Sequence, residues 1–433
     1  MSFVYNRLVP VEPIPHSMRA VVLALADLGR SARMQYHAHA LSAHGVDVDL
    51  VGFEGTPLPR LITDDPRITV HRLHPSTGRI RQSSGVRYAT VAIFDTLRTA
   101  LRLWRRLRRL PPPDLVVAQN PPAFPTLVVA WISLWNRRVR FVTDWHNLGY
   151  TVLRLRLGWW HPAVRLARWY ERRDARRVDV NLCVSRGMAA FLESRFGVKN
   201  AHVLYDRPAA IFAPIARHER EQFRQALFGR LGVRLGVTGL IVCPTSWTED
   251  EDFDVVIDAV HALEERIRGW ETTDPRRRFT DLVVLVTGDG ARRREFERRF
   301  AGLPSRRVQL RTRWLEPEEY PRVVGSADLG LCLHRSSSGL DIPMKVADLF
   351  GAGVPVCALD YGACLAERVR HGDNGLLFSN GRQLAEVLFD LFEGYPADQQ
   401  RLDRLRAGAR RSAGLTWEEG WVKEARPVLL PAT

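Results

Sequence analysis

Short, apolar-rich runs recur along this chain, most of them followed by a polar or glycine-bearing loop and a stretch of helical periodicity. Ala20–Leu25, Val46–Phe53, Ile68–Leu73, Leu115–Ala118, Val139–Thr143, Val178–Val184 and Val203–Leu204 form one series. Leu240–Cys243, Leu282–Val286, Val308–Leu310, Leu329–Leu333, Val354–Ala358 and Leu376–Phe378 form a second. A strand that is apolar on both faces must be covered on both, which is the condition of a parallel sheet between helices. Alternation of this kind, run twice, predicts an α/β chain of two doubly wound, Rossmann-like domains facing a central cleft. The mixed, polar stretch from Ala209 to about Thr238 places the link at its start, giving domains over 1–210 and 211–433. Trp417–Leu430 reads as a closing helix.

Ligands of such sheets sit at the carboxyl ends of strands, so the loops there carry the argument. Leu329–Phe350 reads as strand, loop and helix, with Ser336, Ser337, Ser338 and Gly339 in the loop. Pro343 stands at the expected first helical position and Gly351 just past the last. Lys345 and Asp348 share a helix face, with a rise of about 4.5 Å between them. That matches the distance from a diphosphate to its adjacent ribose, and the N–H groups of a helix start suit an anion. An ordinary surface i,i+3 pair is the alternative. Lysine occurs only at Lys199, Lys345 and Lys423 among 63 Lys+Arg, so a lysine here points to a compact charge rather than a planar fork.

Other loops are less decisive. Asp27-Leu28-Gly29-Arg30-Ser31-Ala32-Arg33 ends the first strand but lacks the full GxGxxG. Asp144-Trp145-His146-Asn147 follows another strand. The acidic run Glu249–Asp252 reads as a capping box of Thr248 with Glu251 rather than as a metal site. His39 and His44 have no metal-ligand partners at usable spacing.

A net charge of +15 favours anionic partners, yet no nucleic-acid module is present, so none is expected. Five cysteines without CxxC spacing read as reduced core residues. Met1–Ser17 has no apolar core, and Leu127–Trp135 is too short to span a membrane. Val91–Leu110 is amphipathic, with Phe94, Leu97, Leu101, Trp104 and Leu107 on one stripe and Arg98, Arg102, Arg105, Arg106, Arg108 and Arg109 crowding its second half. It is either a packed helix with a solvated basic face or a helix lying on a membrane surface. Trp159, Trp160, Trp169 and Tyr170 form a second candidate for that interface. The expectation is a peripheral protein on the cytoplasmic face of an anionic membrane.

Pro343-Met344-Lys345 with Asp348, Gly353-Val354-Pro355-Val356, then Glu367, Val369, Gly372 and Asn374-Gly375-Leu376-Leu377 resemble the donor half of GT-B glycosyltransferases, with Asp348 where that pattern usually has Glu. A closer resemblance runs along nearly the whole chain. Asp27–Ser31 with Arg33-Met34-Gln35-Tyr36-His37, Gln119-Asn120-Pro121-Pro122, Asp144–Asn147 with Gly149-Tyr150, Thr245–Phe253 and Ser336–Met344 are similar to the chitobiosyldiphosphodolichol β-mannosyltransferase family. The resemblance implies a GT-B fold and an inverting β-1,4-mannosyltransferase. It also implies GDP-mannose as donor, no obligatory metal or other cofactor, and a polyprenyl-diphosphate-linked GlcNAc–GlcNAc acceptor.

In site terms it implies Lys345 and the N–H groups of Ser337, Ser338, Gly339 and Leu340 on the leaving diphosphate, with Gly29, Arg30 or Arg33 assisting. Asp348 would hold the ribose, and Thr245, Ser246 and Trp247 would lie near the donor. The base is Asp144 or His146, with Asp27 a third option. Trp104, Arg105, Arg106, Trp159 and Trp160 would meet the membrane and acceptor. Eukaryotic members usually begin with a spanning helix, which keeps open a bacterial GDP-mannose-dependent enzyme acting on another polyprenyl glycolipid or exopolysaccharide precursor. A non-catalytic basic remnant, binding membrane or nucleic acid, is the alternative of another class.

Overall fold

The computed structural model describes residues 18–75, 86–134, 138–233, 238–248, 250–290, 292–303 and 305–430, with the side chains of 86–93 excepted. Met1–Ser17 and Glu249 lie outside the described residues. The chain divides into two compact units, Met1–Tyr205 with Trp421–Thr433, and Asp206–Gly420. A linear division after residue 210 differs by a few residues at the link and does not contain the return of the last segment.

The first unit holds seven strands: β1 (Arg19–Asp27), β2 (Asp47–Phe53), β3 (Ile68–Leu73), β4 (Leu115–Asn120), β5 (Arg140–Trp145), β6 (Val180–Cys183) and β7 (Ala201–Val203). They pair in parallel in the order β3-β2-β1-β4-β5-β6-β7. The order reverses between β1 and β4, so their carboxyl ends, Asp27 and Asn120, flank the switch-point crevice. Ala20–Leu25 is buried throughout, as a strand covered on both faces must be. The helix Val86–Arg109 covers one face through Leu103 and Leu107, which pack with Val21, Leu23 and Val116. Leu107 therefore belongs to the core and not to the outer stripe, because a position three beyond Trp104 has rotated onto the sheet side. Each such buried leucine contributes about 1.5–3 kcal/mol.

The second unit holds β8 (Thr238–Pro244), β9 (Asp281–Thr287), β10 (Val308–Arg313), β11 (Leu329–Cys332), β12 (Val356–Leu359) and β13 (Gly375–Phe378), parallel in the order β10-β9-β8-β11-β12-β13. Its switch point lies between β8 and β11. Helices Asp254–Thr272 and Gly381–Phe392 close one face through Val256, Leu263, Leu388 and Phe392. On the other face the helix Met344–Gly351 approaches β11 closely. A Cβ at Gly330 would stand 2.4 Å from a methyl of Leu349, so the glycine sets that approach.

Pro343 is the cap rather than the first residue of this helix, Gly351 is its last, and the positive φ falls at Gly353. The closing segment is two short helices, Trp417–Glu424 and Arg426–Leu429, since Pro427 has no N–H with which to continue the first. All five cysteines are buried, and none is in a disulfide.

Candidate active site

In the first unit the loop after β1 is fastened by Asp27, whose carboxylate accepts from the N–H of Gly29 at 3.0 Å, the N–H of Thr56 at 3.0 Å and the Thr56 hydroxyl at 2.8 Å. Those bonds give Asp27 a structural task in the turn. Gly29 is required by contact: a Cβ there would stand 2.2 Å from the Thr56 carbonyl oxygen. Arg30 is exposed at the loop tip, its Nε 3.3 Å from the Thr56 hydroxyl.

Arg33 has a different place. It is buried in the helix Ala32–Ala43, and it donates from Nε and Nη2 to the two oxygens of Asp144 at 2.7 and 2.8 Å. With both side chains enclosed, Arg33 is the counter-ion of Asp144 and not a diphosphate ligand. His37, one turn further on, points Nε2 at the same Asp144 oxygen from 3.3 Å. His146 bonds it through Nε2 at 2.8 Å and keeps about a quarter of its side chain exposed.

Burial alone would push the Asp144 carboxyl up, but Arg33 first, then His146 and His37, hold it well below the usual range. A carboxylate so stabilised is a weak proton acceptor. It serves instead to orient His146: an ionised carboxylate can only accept, so Nε2 carries the proton and the lone pair of the neutral ring lies on Nδ1. His146 thus combines partial exposure with a ring oriented by a buried carboxylate.

Glu171 was not legible as part of this end of the sheet. Its carboxylate accepts from Asn120 Nδ2 at 3.2 Å and from the N–H groups of Gly149 and Tyr150 at 2.7 and 3.4 Å. Burial pushes its pKa to about 7 against those bonds. It ties the end of β4 to the start of the helix Gly149–Leu157. The only sequence signal was an acidic residue in the arginine-rich helix Pro162–Ala175.

In the second unit Glu251 is the organising group. One carboxylate oxygen accepts from the Thr245 hydroxyl and from the N–H groups of Ser246 and Thr248 at 3.1 and 3.3 Å; the other takes the Lys345 ammonium. The Thr248 bond is one arm of the expected capping box, yet the following helix begins only at Asp254, and Glu251 is buried. Lys345 is thus paired across the loops and not with Asp348. Burial opposes its charge, but Glu251 outweighs this and raises its pKa.

Trp247 is enclosed, stacked on Phe253 with centroids 4.5 Å apart, so its ring is core rather than a donor contact. Ser246 is exposed at the loop surface. The loop Ser336–Leu340 is held by its own hydroxyls. Gly339 N–H donates to Ser336 Oγ at 2.7 Å and Leu340 N–H to Ser338 Oγ at 3.1 Å, so two of the four N–H groups expected on a phosphate are engaged internally.

Beneath that loop, His334 bonds Asp250 at 2.9 Å and Asp341 at 2.7 Å. Burial disfavours its cation, but these two carboxylates lift the pKa to about 9, so the ring is charged. Asp348 stands half-buried with the Tyr320 hydroxyl at 3.5 Å; burial and then Asp206 push its pKa up to about 7.

Two family models match the chain, a glycosyl transferase 4-like domain over 29–206 and glycosyl transferases group 1 over 238–393. Anabaena HepE in complex with UDP and glucose is 16% identical with a TM-score of 0.63, covering 94% of this chain and 97% of its own. Sucrose-phosphate synthase from Thermosynechococcus elongatus is 14% identical with a TM-score of 0.66 over 94% and 97%. At such identity these carry the fold, which is GT-B.

The UDP-glycosyltransferase TURAN of Arabidopsis thaliana is 36% identical over 95% of this chain and 97% of its own. The human chitobiosyldiphosphodolichol beta-mannosyltransferase is 35% identical over 95% of this chain and 92% of its own. The chain belongs to the chitobiosyldiphosphodolichol beta-mannosyltransferase family. It is a glycosyltransferase.

This member of the chitobiosyldiphosphodolichol beta-mannosyltransferase family carries exposed aromatic and basic side chains on its first unit. Phe94, Leu97, Leu101 and Trp104 are exposed at helical spacing, with Arg105 exposed and Arg106 half-buried beside them. Trp159 is half exposed and Trp160 is 88% exposed; the Arg154 guanidinium lies 4.6 Å from the Trp159 ring centroid. Among the described residues no helix is long and apolar enough to cross a membrane.

Proposed function

We propose that this chain transfers mannose from GDP-mannose to a polyprenyl-diphosphate-linked GlcNAc–GlcNAc acceptor, forming a β-1,4 bond with inversion. The observation that carries the reading is 35% identity spread over 95% of the chain to a chitobiosyldiphosphodolichol beta-mannosyltransferase. The acceptor hydroxyl oxygen attacks the anomeric carbon as the bond from that carbon to the diphosphate oxygen breaks. The acceptor proton passes to Nδ1 of His146, and the imidazolium that forms is stabilised by Asp144. The leaving diphosphate gains negative charge, which Lys345 offsets, so no metal is required for departure. Asp348 accepts from the ribose hydroxyls of the nucleotide.

The enzyme works as a peripheral protein on the cytoplasmic face of a membrane. Phe94, Leu97, Leu101, Trp104, Trp159 and Trp160 enter the interface, while Arg105 and Arg106 meet anionic head groups.

The test is transfer from GDP-mannose to phytanyl-diphosphate-linked GlcNAc–GlcNAc by the purified full chain in the presence of EDTA. Product that β-mannosidase removes is expected. Stabilisation by GDP without any product overturns the acceptor. Stabilisation and turnover with UDP-glucose in place of GDP-mannose overturn the donor.

A further inference from the structure

We infer that Trp421 is a positioning residue for the Asp144–His146 pair, acting through the tautomer of His37. The inference rests on the reading of that pair as the group that takes the acceptor proton. Trp421 lies in the segment that returns to the first unit, and it is fully buried there. Its indole Nε1–H donates to Nδ1 of His37 at 3.1 Å, across 384 residues of sequence.

An indole N–H can only donate, so Nδ1 of His37 must present its lone pair. The proton of the neutral ring is then confined to Nε2, which stands 3.3 Å from Oδ2 of Asp144. Burial keeps His37 neutral, lowering its pKa against the pull of Asp144. The groups facing it are Asp144, Arg33 and His146; on the far side, the Trp421 ring also packs against His44 at 5.0 Å. The opposite tautomer would turn a ring lone pair toward a carboxylate oxygen and repel it. That same oxygen is the one that accepts from Nε2 of His146 at 2.8 Å. The indole therefore sets which face of the His37 ring, proton or lone pair, meets the Asp144 oxygen that Arg33 holds in place, and Asp144 fixes which nitrogen of His146 is basic.

The experiment uses the full chain labelled with [15N]histidine. Nitrogen–proton correlation spectra report each ring's tautomer without any substrate. His37 is expected as the Nε2–H form and neutral across pH 6–8. Trp421→Phe keeps the ring and removes the N–H. It is expected to mix the two His37 tautomers, lower kcat about tenfold, the size of effect seen when an outer partner of a histidine is lost, leave KM for the donor within about twofold, and displace the pH profile of kcat. His37 found as Nδ1–H in the unaltered protein overturns the inference, and that result does not depend on the variant folding. So does a Trp421→Phe enzyme with the wild-type tautomer and kcat. If no sugar transfer occurs at all, the proposed function falls while the spectra still decide the link.

Discussion

The Lys345 ammonium is ion-paired with Glu251, a carboxylate that lies 94 residues earlier and also gathers the Thr245 hydroxyl and the Ser246 and Thr248 N–H groups. The cation proposed to meet a diphosphate is thus held in place by the loop beside it. Lys345→Ala should abolish stabilisation by GDP. It should also cost the free protein about 3 kcal/mol, because Glu251 is left buried and unpaired. Thermal unfolding with and without GDP checks both; unchanged GDP protection would refute the phosphate role.

Asp144→Asn removes the negative partner of a buried arginine and should lower stability by about 3–5 kcal/mol. His146→Ala should cost far less stability, since His146 reaches solvent. Both should reduce turnover by about a hundredfold or more while GDP still stabilises the protein. Turnover retained in the two variants would dismiss this pair as the proton acceptor.

His334 gives the fold a pH dependence. Its folded pKa of about 9 stands above the value of about 6.5 in an unfolded chain, so the native state binds the proton more tightly. That stability is complete below pH about 6.5 and is lost as the pH rises through about 9, on the order of 3 kcal/mol in all. In His334→Gln the loss over this window should vanish. Urea unfolding of both proteins at the two ends of the window measures it, and an equal loss in the variant would reject His334 as its source.

The exposed aromatic and arginine surface should bind vesicles of anionic lipid and release them as salt is raised. Trp159→Ala with Trp160→Ala, and separately Arg105→Glu with Arg106→Glu, should each weaken flotation with such vesicles about tenfold. Both double variants floating as well as the unaltered chain would count against a membrane-facing role for this surface.

The strands were legible because most are short apolar-rich runs bounded by turn residues, the central β1, β8 and β11 above all, and their alternation with helical stretches predicts two parallel sheets. Side-chain partners were not. Arg33 reads as a loop cation near a nucleotide, because the residue that claims it, Asp144, is 111 positions away and is brought close only by the strand order β1-β4-β5. For Lys345 the only protein partner the local spacing offered was Asp348, the alternative to a diphosphate role, whereas the structure pairs it with Glu251. Trp247 stands in a polar loop, yet it is core, turned inward at a φ of 56° to stack on Phe253. Local pattern reports which face of an element is apolar. It does not report which distant charge will neutralise a buried one.

The bond from Trp421 to His37 also orders events during synthesis. At ~5–20 residues per second a ribosome needs roughly 20–80 s to make the 384 residues between them. For all that time the first unit, though made first, lacks the indole that fixes His37. An N-terminal half that has folded ahead of Trp421 would therefore still leave the His37 tautomer to be set, and on the inference above its full rate waits on a residue made long after the rest of that sheet.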